Sequence, residues 1–256
     1  MTAVAAALAL ALFAGSCRKM ETSAPVDPAL ASCIPSDAVA LVGVDLSQLR
    51  ASAVYRELPT GAAAFLAPTG DASYLLVAYN GQDVLAAARG AFREAPAGSV
   101  LLAKDLAVFG SPGAVRAATA QYRTGKTGAG WLLARAPAGG SQVWAVVLGG
   151  ATLPLGGNAA NLNRFLSAAD YGSVAVTLGA GVRIEAAGAG RNEQSSQRME
   201  ETLRGFFSLA AVAAARQTDL AALLRSSRVT RDGLAVRAAL SATPEQAGKL
   251  LSLLAR

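Results

Sequence analysis

The sequence contains no histidine, and this absence excludes several kinds of chemistry. A Ser-His-Asp triad, a Cys-His pair, a histidine-bearing zinc site and haem ligation by histidine all depend on an imidazole. Cysteine is nearly absent too, because Cys17 and Cys33 are the only two, which excludes a thiolate metal site within the domain. We therefore predict no metal and no cofactor, and any catalysis would have to use carboxylates or a Ser/Lys pair.

Aromatic and charged residues are scarce as well. They make up 5% and 16% of the chain, whereas hydrophobic residues make up 53%, a composition typical of a folded domain. The 23 Lys and Arg outnumber the 17 Asp and Glu, but no basic run exceeds two residues, and wide gaps separate Arg50, Arg89, Arg116, Arg164, Arg204 and Arg237. Without clustered basic residues and interleaved aromatics, we do not expect nucleic acid to be a partner.

Long apolar runs are confined to the N-terminus. The stretch MTAVAAALALALFAGSC is uncharged but shorter than the roughly 20 apolar residues that span a bilayer. Its length suits the apolar region of an export signal, so we predict a signal peptide at residues 1–16. Cys17 follows Ala14-Gly15-Ser16 directly, and this arrangement resembles a bacterial lipobox. The resemblance implies that diacylglycerol is attached to Cys17 and that membrane lipid is a partner.

Alternatives stay open at this end of the chain. Ala14-Gly15-Ser16 also suits an ordinary signal peptidase, which would release a secreted protein, and a buried N-terminal helix is the third interpretation. If Cys17 is not acylated, it could close a disulfide loop with Cys33 in an oxidising compartment. If it is acylated, Cys33 is a buried residue or a free thiol. Arg18 after the modified cysteine is similar to the pattern of outer-membrane lipoproteins, which implies a periplasmic location at that membrane.

The rest of the chain divides into a tether and a domain. Residues 17–33 mix proline, serine, alanine and charge without periodicity, so we predict a flexible lipidated tether. Residues 34–256 suffice for one large domain, in which a strand, helix, hairpin, helix pattern occurs twice, in halves at about 34–127 and 128–256. Because hairpins dominate over crossovers, we predict an α+β fold with largely antiparallel sheets and helices packed on one face.

Periodicity and turn residues predict the elements of each half. The first half has strands at 38–45 and 73–79, a helix capped by Asp45 or Ser47, a helix at about 81–92, a hairpin of 99–103 and 106–109, and a helix opened by Ser111-Pro112. The second half has a strand at 142–148, a helix capped by Asn158, a hairpin of 174–178 and 182–187, a long helix from Asn192, a hairpin about Arg231-Asp232-Gly233, and a helix with the capping box Thr243-Pro244-Glu245-Gln246.

Few motifs suggest a site. Thr124-Gly125-Lys126-Thr127 ends like a phosphate-binding loop, but Ala120 stands where that motif needs its first glycine, so we predict an exposed linker. No Ser-x-x-Lys or Gly-x-Ser-x-Gly spacing occurs within the domain. The most polar cluster comprises Asn158, Asn161, Asn163 and Arg164. It could line a small binding site, or Asn158 could cap a helix whose exposed face carries the others.

Several segments resemble uncharacterised exported bacterial lipoproteins. They are Ile34-Pro35-Ser36-Asp37-Ala38, Gly43-Val44-Asp45-Leu46, Leu49-Arg50, Tyr55, Gln142-Val143-Trp144 and Asn161-Leu162-Asn163. The resemblance implies an anchored envelope protein and no particular activity. With no catalytic constellation, we expect a non-enzymatic domain that binds an envelope protein or a small ligand, or serves structurally. A secreted hydrolase that uses carboxylates or a Ser/Lys pair is the alternative.

Acylation of Cys17 can be tested directly. We expect labelled palmitate to enter the wild-type chain and the Cys33→Ala variant in a bacterial host that processes lipoproteins, but not the Cys17→Ala variant, which lacks the thiol. Gel fluorography and intact mass would measure the modification. A wild-type chain that stays unlabelled would contradict the prediction.

Overall fold

The computed structural model describes residues 26–57, 70–95, 98–137, 140–154 and 162–254. Within these ranges one antiparallel sheet contains β1 (Ala40–Asp45), β2 (Ala72–Tyr79), β3 (Val84–Gly90), β4 (Ser99–Ala103), β5 (Leu106–Gly110), β6 (Val143–Leu148), β7 (Ala169–Leu178), β8 (Val182–Gly190), β9 (Arg228–Asp232) and β10 (Ala235–Ala242). The order across the sheet is β4-β5-β3-β2-β1-β6-β7-β8-β10-β9. The predicted α+β class with antiparallel strands is confirmed.

Helices flank this sheet. In the described ranges they are α1 (Pro28–Ala31), α2 (Leu46–Ala51), α3 (Pro112–Arg123), α4 (Gly130–Leu133), α5 (Leu162–Ala168), α6 (Glu193–Ala213), α7 (Thr218–Arg225) and α8 (Pro244–Leu254), with a 3₁₀ helix at Ala53–Glu57. None of these helices has both the length and the apolar character that crossing a bilayer requires.

The sheet repeats its own order about its centre. Outward from β1 the strands run β1-β2-β3-β5-β4, and outward from β6 they run β6-β7-β8-β10-β9. The inner strands β1 and β6 pair antiparallel with each other. In chain order, α2 and α5 each follow the inner strand of their half, and α3 and α8 each close a half. In the described residues the halves differ between their third and fourth strands, where the second half contains the helices α6 and α7.

The two halves bury their sheets differently. Successive residues of a strand point to opposite faces, and Leu75 and Leu76 of β2 accordingly belong to two different apolar clusters. Leu76 packs in the cluster of α1, α3 and α4, and Leu75 in that of α2, so the first half carries helices on both faces. Val236 and Leu240 share a face of β10 and pack with α6 and α7. The predicted one-sided packing therefore applies to the outer strands of the second half, whereas Trp144 and Val146 of β6 pack in the cluster of α1, α3 and α4.

The contact between the halves centres on Gly43. This glycine lies opposite Trp144 across the β1–β6 pair. The buried indole Nε1 of Trp144 donates a 2.8 Å hydrogen bond to the Tyr74 hydroxyl on β2. A Cβ at Gly43 would overlap both the indole ring and that hydroxyl. The position therefore admits only glycine without rearrangement of this contact.

The predicted helix at 81–92 is wrong, because this segment forms β3. Asn80 starts a tight turn in which its Oδ1 accepts from the backbone N–H of Gln82 and of Asp83. Gly81 supplies the positive φ of +102° within this turn. The alanine-rich segment that follows has helical propensity, but β2 and β5 pair with it on both sides. Tertiary pairing thus outweighs local propensity here.

The predicted flexible tether extends too far along the chain. Asp27 caps α1 by accepting from the N–H of Ala29 at 2.7 Å, and its Oδ2 lies 2.9 Å from Arg89 Nε of β3. Leu30 and Cys33 are fully buried in the core. The folded domain therefore begins at or before Val26, because these apolar side chains cover the sheet. Residues 1–25, including Cys17, lie outside the described ranges.

Several capping signals in the sequence form the helix caps that they predict. Asn192 caps α6, and Asp45 caps α2. Thr243 and Gln246 exchange the two hydrogen bonds of a capping box at the start of α8. Helix α7 was not predicted, since no side chain caps its N-terminus at Gln217. Its apolar face, formed by Leu220, Leu223 and Leu224, is nevertheless buried.

Two alanine substitutions should have opposite effects on stability. We expect Gly43→Ala to lower the free energy of unfolding by about 1–3 kcal/mol, because the new methyl group must displace Trp144 or Tyr74. We expect Gly205→Ala to raise it by about 0.5–1 kcal/mol, since Gly205 lies within α6 with no described atom within 4 Å of its Cβ position. Urea titration would measure both changes. A neutral Gly43→Ala variant would contradict the tight contact.

Candidate functional site

The candidate site is a cavity of about 380 Å³ between α6, α7 and the edge strand β9. We call it the arginine groove. Its lining residues are Arg204, Phe207 and Ser208 of α6, Leu224 and Arg225 of α7, Ser227 of the connection, and Arg228 and Val229 of β9. Its volume lies within the range of small-molecule binding sites.

Local structure brings the arginines of the groove together. Arg225 is the last residue of α7, and Arg228 is the first residue of β9. The Ser226 N–H caps α7 by donating to the carbonyls of Ala222, Leu223 and Leu224, and its hydroxyl donates to Leu223 at 2.7 Å. Because these bonds fix the turn, both arginines stand beside the same groove.

Arg204 of α6 supplies the third guanidinium group. Arg204 Nη2 lies 2.7 Å from Glu200 Oε1 and 3.4 Å from the carbonyl oxygen of Val229. Glu200 uses its other oxygen to accept from Arg231 Nε at 3.2 Å. Glu200 therefore contacts two arginines, and Arg231 also lies 3.8 Å from Glu193 through its Nη1.

The other two arginines keep their charge available. Among the residues that the structure describes, Arg225 and Arg228 form no ion pair, and both side chains are exposed. Like charges gathered in one place produce a positive potential that attracts anions. A guanidinium group only donates hydrogen bonds, so its chemistry suits the binding of anions and not general base catalysis.

A second cavity contains carboxylates. Asp37 and Asp83 are among the residues that line this space of about 70 Å³, which has room for only a few water molecules. Asp37 Oδ2 accepts from Asn80 Nδ2 at 3.0 Å, so part of its acceptor capacity is occupied. Within the described ranges, no group of three or more His, Cys, Asp or Glu side chains could hold a metal ion.

The predicted polar cluster lies partly outside the described residues. Asn158 and Asn161 fall in that part of the chain. The amide of Asn163 accepts from the N–H of Leu153 at 2.9 Å and donates to its carbonyl at 3.0 Å. Arg164 is exposed. In the described part of the cluster, Asn163 thus pairs with the backbone, and a ligand-binding role for the four residues stays a prediction.

The predicted linker Thr124-Gly125-Lys126-Thr127 is exposed and ends α3. Gly125 has a φ of +64°, the left-handed conformation that often terminates a helix. Gln121 Nε2 donates to the carbonyl of Lys126 at 2.6 Å and closes the turn. The segment therefore functions as a helix end, and a phosphate-binding loop would instead begin a helix after a strand.

Cys33 is buried and forms no disulfide within the described residues, which do not include Cys17. Its Sγ donates to the carbonyl of Ala29 at 3.3 Å. Burial raises the pKa of the Cys33 thiol to about 12, while the nearby Arg89 lowers it to a smaller extent. The thiol is therefore protonated near neutral pH and is a poor nucleophile.

Sequence reasoning missed the arginine groove. Widely spaced arginines such as Arg164, Arg204 and Arg237 do not by themselves indicate a shared site. The available signal was the short segment Arg225-Ser226-Ser227-Arg228, which directly follows an apolar helical pattern. Only the packing of α6 beside this segment adds the third guanidinium group.

No protein-family model and no curated protein matches the chain. Among solved structures, the chain is similar to crystal forms of TP0453. Form I is 10% identical with a TM-score of 0.47, and the match covers 91% of this chain and 100% of that chain. Form III is 9% identical with a TM-score of 0.49, and the match covers 89% of this chain and 98% of that chain. Form IV is 11% identical with a TM-score of 0.43, and the match covers 91% of this chain and 99% of that chain. At these scores the similarity carries no functional argument.

The buried thiol predicts a pH dependence of stability. In the unfolded chain Cys33 ionises near pH 9, whereas in the folded chain its pKa is about 12. The contribution of the buried thiol to the free energy of unfolding is complete below pH 9. It is lost as the pH rises toward 12, because the unfolded state releases its proton first. Between pH 8 and pH 10.5, we expect the free energy of unfolding of the wild type to fall by roughly 2 kcal/mol more than that of Cys33→Ala, as measured by urea titration. Parallel curves for the two chains would contradict this assignment.

Proposed function

We propose that this protein is a lipid-anchored protein of the bacterial cell envelope whose α+β domain binds a ligand or another envelope protein without catalysing a reaction. Residues 1–16 direct export, and Cys17 carries the acyl chains. The domain faces the periplasm, at the outer membrane where the cell has one. The arginine groove is the observation that carries the binding role.

The lining of the groove supports binding over catalysis. Its polar groups are three guanidinium groups and the hydroxyls of Ser208 and Ser227. General acid–base catalysis needs a group that gains and loses a proton near the working pH, and neither arginine nor an unassisted serine does so. Hydrogen-bond donors beside apolar side chains are instead typical of ligand recognition.

The position of the anchor supports a role at the membrane surface. Residues 18–25 separate Cys17 from Val26, where the described domain begins. A fully extended chain of this length reaches at most roughly 30 Å. The acylated cysteine would therefore hold the N-terminal end of the domain near the lipid headgroups.

The rival hydrolase has weaker support in the geometry. The cavity with Asp37 and Asp83 is too small for a sugar or a peptide. Lys249 is engaged, because its Nζ lies 3.0 Å from Asp219 Oδ2 and 2.9 Å from Glu245 Oε1. A lysine bound to two carboxylates is held in its protonated form, which cannot accept a proton from a serine.

Cell fractionation tests the anchored location. We expect the wild-type chain to sediment with membranes and to be released by detergent but not by high salt, because acyl chains hold it there. The Cys17→Ala variant should leave the lipid-anchored pool, while the Cys33→Ala variant should behave like the wild type. Immunoblotting of each fraction would measure the distribution. Wild-type chain recovered in the cytosol with its leader uncut would contradict the proposal.

The same preparations test the absence of catalysis. Purified wild-type protein should turn over no ester, peptide or glycoside substrate above a buffer blank. Turnover that disappears in Asp37→Asn or Asp83→Asn protein would establish the hydrolase instead.

A further inference from the structure

We infer that the arginine groove binds the phosphate group of an anionic ligand, with Arg225 and Arg228 as its main donors. This inference rests on the proposed binding function and names the class of ligand. The phosphate belongs either to a soluble phosphate ester or to a phospholipid headgroup. Both sources present the same oxygens to the groove.

The charge balance of the groove favours a phosphate over a single carboxylate. Both oxygens of Glu200 are occupied, one by Arg204 at 2.7 Å and the other by Arg231 at 3.2 Å. Within the described ranges no carboxylate pairs with Arg225 or Arg228. Two uncompensated positive charges therefore remain, and a phosphate monoester carries up to two negative charges near neutral pH.

The donors of the groove also match phosphate in number and type. The planar guanidinium group offers two parallel N–H donors that fit two oxygens of one phosphate. Ser208 on α6 and Ser227 before β9 add two hydroxyls to the lining of the groove. In the part of the chain that the structure describes, these two hydroxyls donate to no protein acceptor. They are available to donate to the remaining oxygens.

The size and floor of the groove point to an esterified phosphate. A volume of about 380 Å³ exceeds the need of a bare phosphate ion, leaving room for an organic group. Phe207, Leu224 and Val229 supply the apolar part of the lining, which we call its floor. Leu224 is only 2% exposed, so this surface is anchored in the core of the second half. An ester with a short carbon skeleton would contact this floor while its phosphate meets the arginines.

Matched double variants test the inference. The test variant is Arg225→Gln with Arg228→Gln, and the control is Arg116→Gln with Arg123→Gln, which removes the same charge from exposed positions of α3. Isothermal titration of the full-length protein in neutral detergent with glycerol 3-phosphate would measure binding of a soluble ester. Flotation of the full-length Cys17→Ala chain with phosphatidylcholine vesicles, with or without phosphatidic acid, would measure headgroup binding without the anchor.

We expect saturable binding by the wild type and the control in at least one arm, weakened at least about tenfold in the test variant, because each lost guanidinium removes charge-assisted hydrogen bonds. A further variant, Arg225→Lys with Arg228→Lys, should bind with intermediate strength, since lysine keeps the charge but loses the fork. Unchanged melting temperatures would show that the variants fold. Binding in the vesicle arm alone would assign the phosphate to a lipid headgroup.

Two results would overturn the inference. One is failure of the wild type to bind either probe, and the other is equal weakening by the test and control variants, which would indicate general charge attraction. Either result leaves the anchored location intact, because fractionation measures that location separately. Cytosolic wild-type chain that still binds glycerol 3-phosphate would contradict the envelope proposal and support the groove.

Discussion

The pairing of β1 with β6 is the constraint on which the structure depends. These strands join through five opposed residue pairs, from Ala40–Val147 to Val44–Val143. If they separated, each half would expose the backbone groups of an inner strand along an open edge, which is costly and prone to aggregation. The fit of Gly43 against Trp144 sets the register of this pair, since a shift of one residue would turn the indole away from the core. This contact therefore fixes the position of each half of the sheet relative to the other.

The repeated strand order shows where the two halves have diverged. In each half, the fifth strand along the chain lies in the sheet between the third and the fourth. The strand order is therefore the same on both sides of the centre. The second half adds α6 and α7, which cover its sheet on one face, whereas the first half packs α1, α3 and α4 on one face and α2 on the other. The arginine groove is built entirely from the added helices and the edge strand beside them. The distinctive chemistry of the molecule therefore lies where the repeat is broken.

The candidate site shows the limit of prediction from the sequence. The spacing of Arg225 and Arg228 is visible in the chain, but the two positions become one surface only because α7 ends in a turn that leads directly into β9. Arg204 lies about twenty residues earlier and reaches the groove through the packing of α6 on the sheet. Local periodicity carries no information on such contacts between elements. The same reason explains why the alanine-rich segment of β3 was predicted to be a helix.

The sequence by itself determined the features that depend on a few neighbouring residues. These include the antiparallel hairpins, the caps at Asn192 and Thr243, and the exclusion of histidine chemistry, because each follows from short-range geometry or from composition. Only the tertiary structure decided that β3 is a strand, that residues 26–33 belong to the core, and that three arginines share one groove. Each of these outcomes requires contacts between residues distant in the chain, and their free energy outweighs local conformational preference.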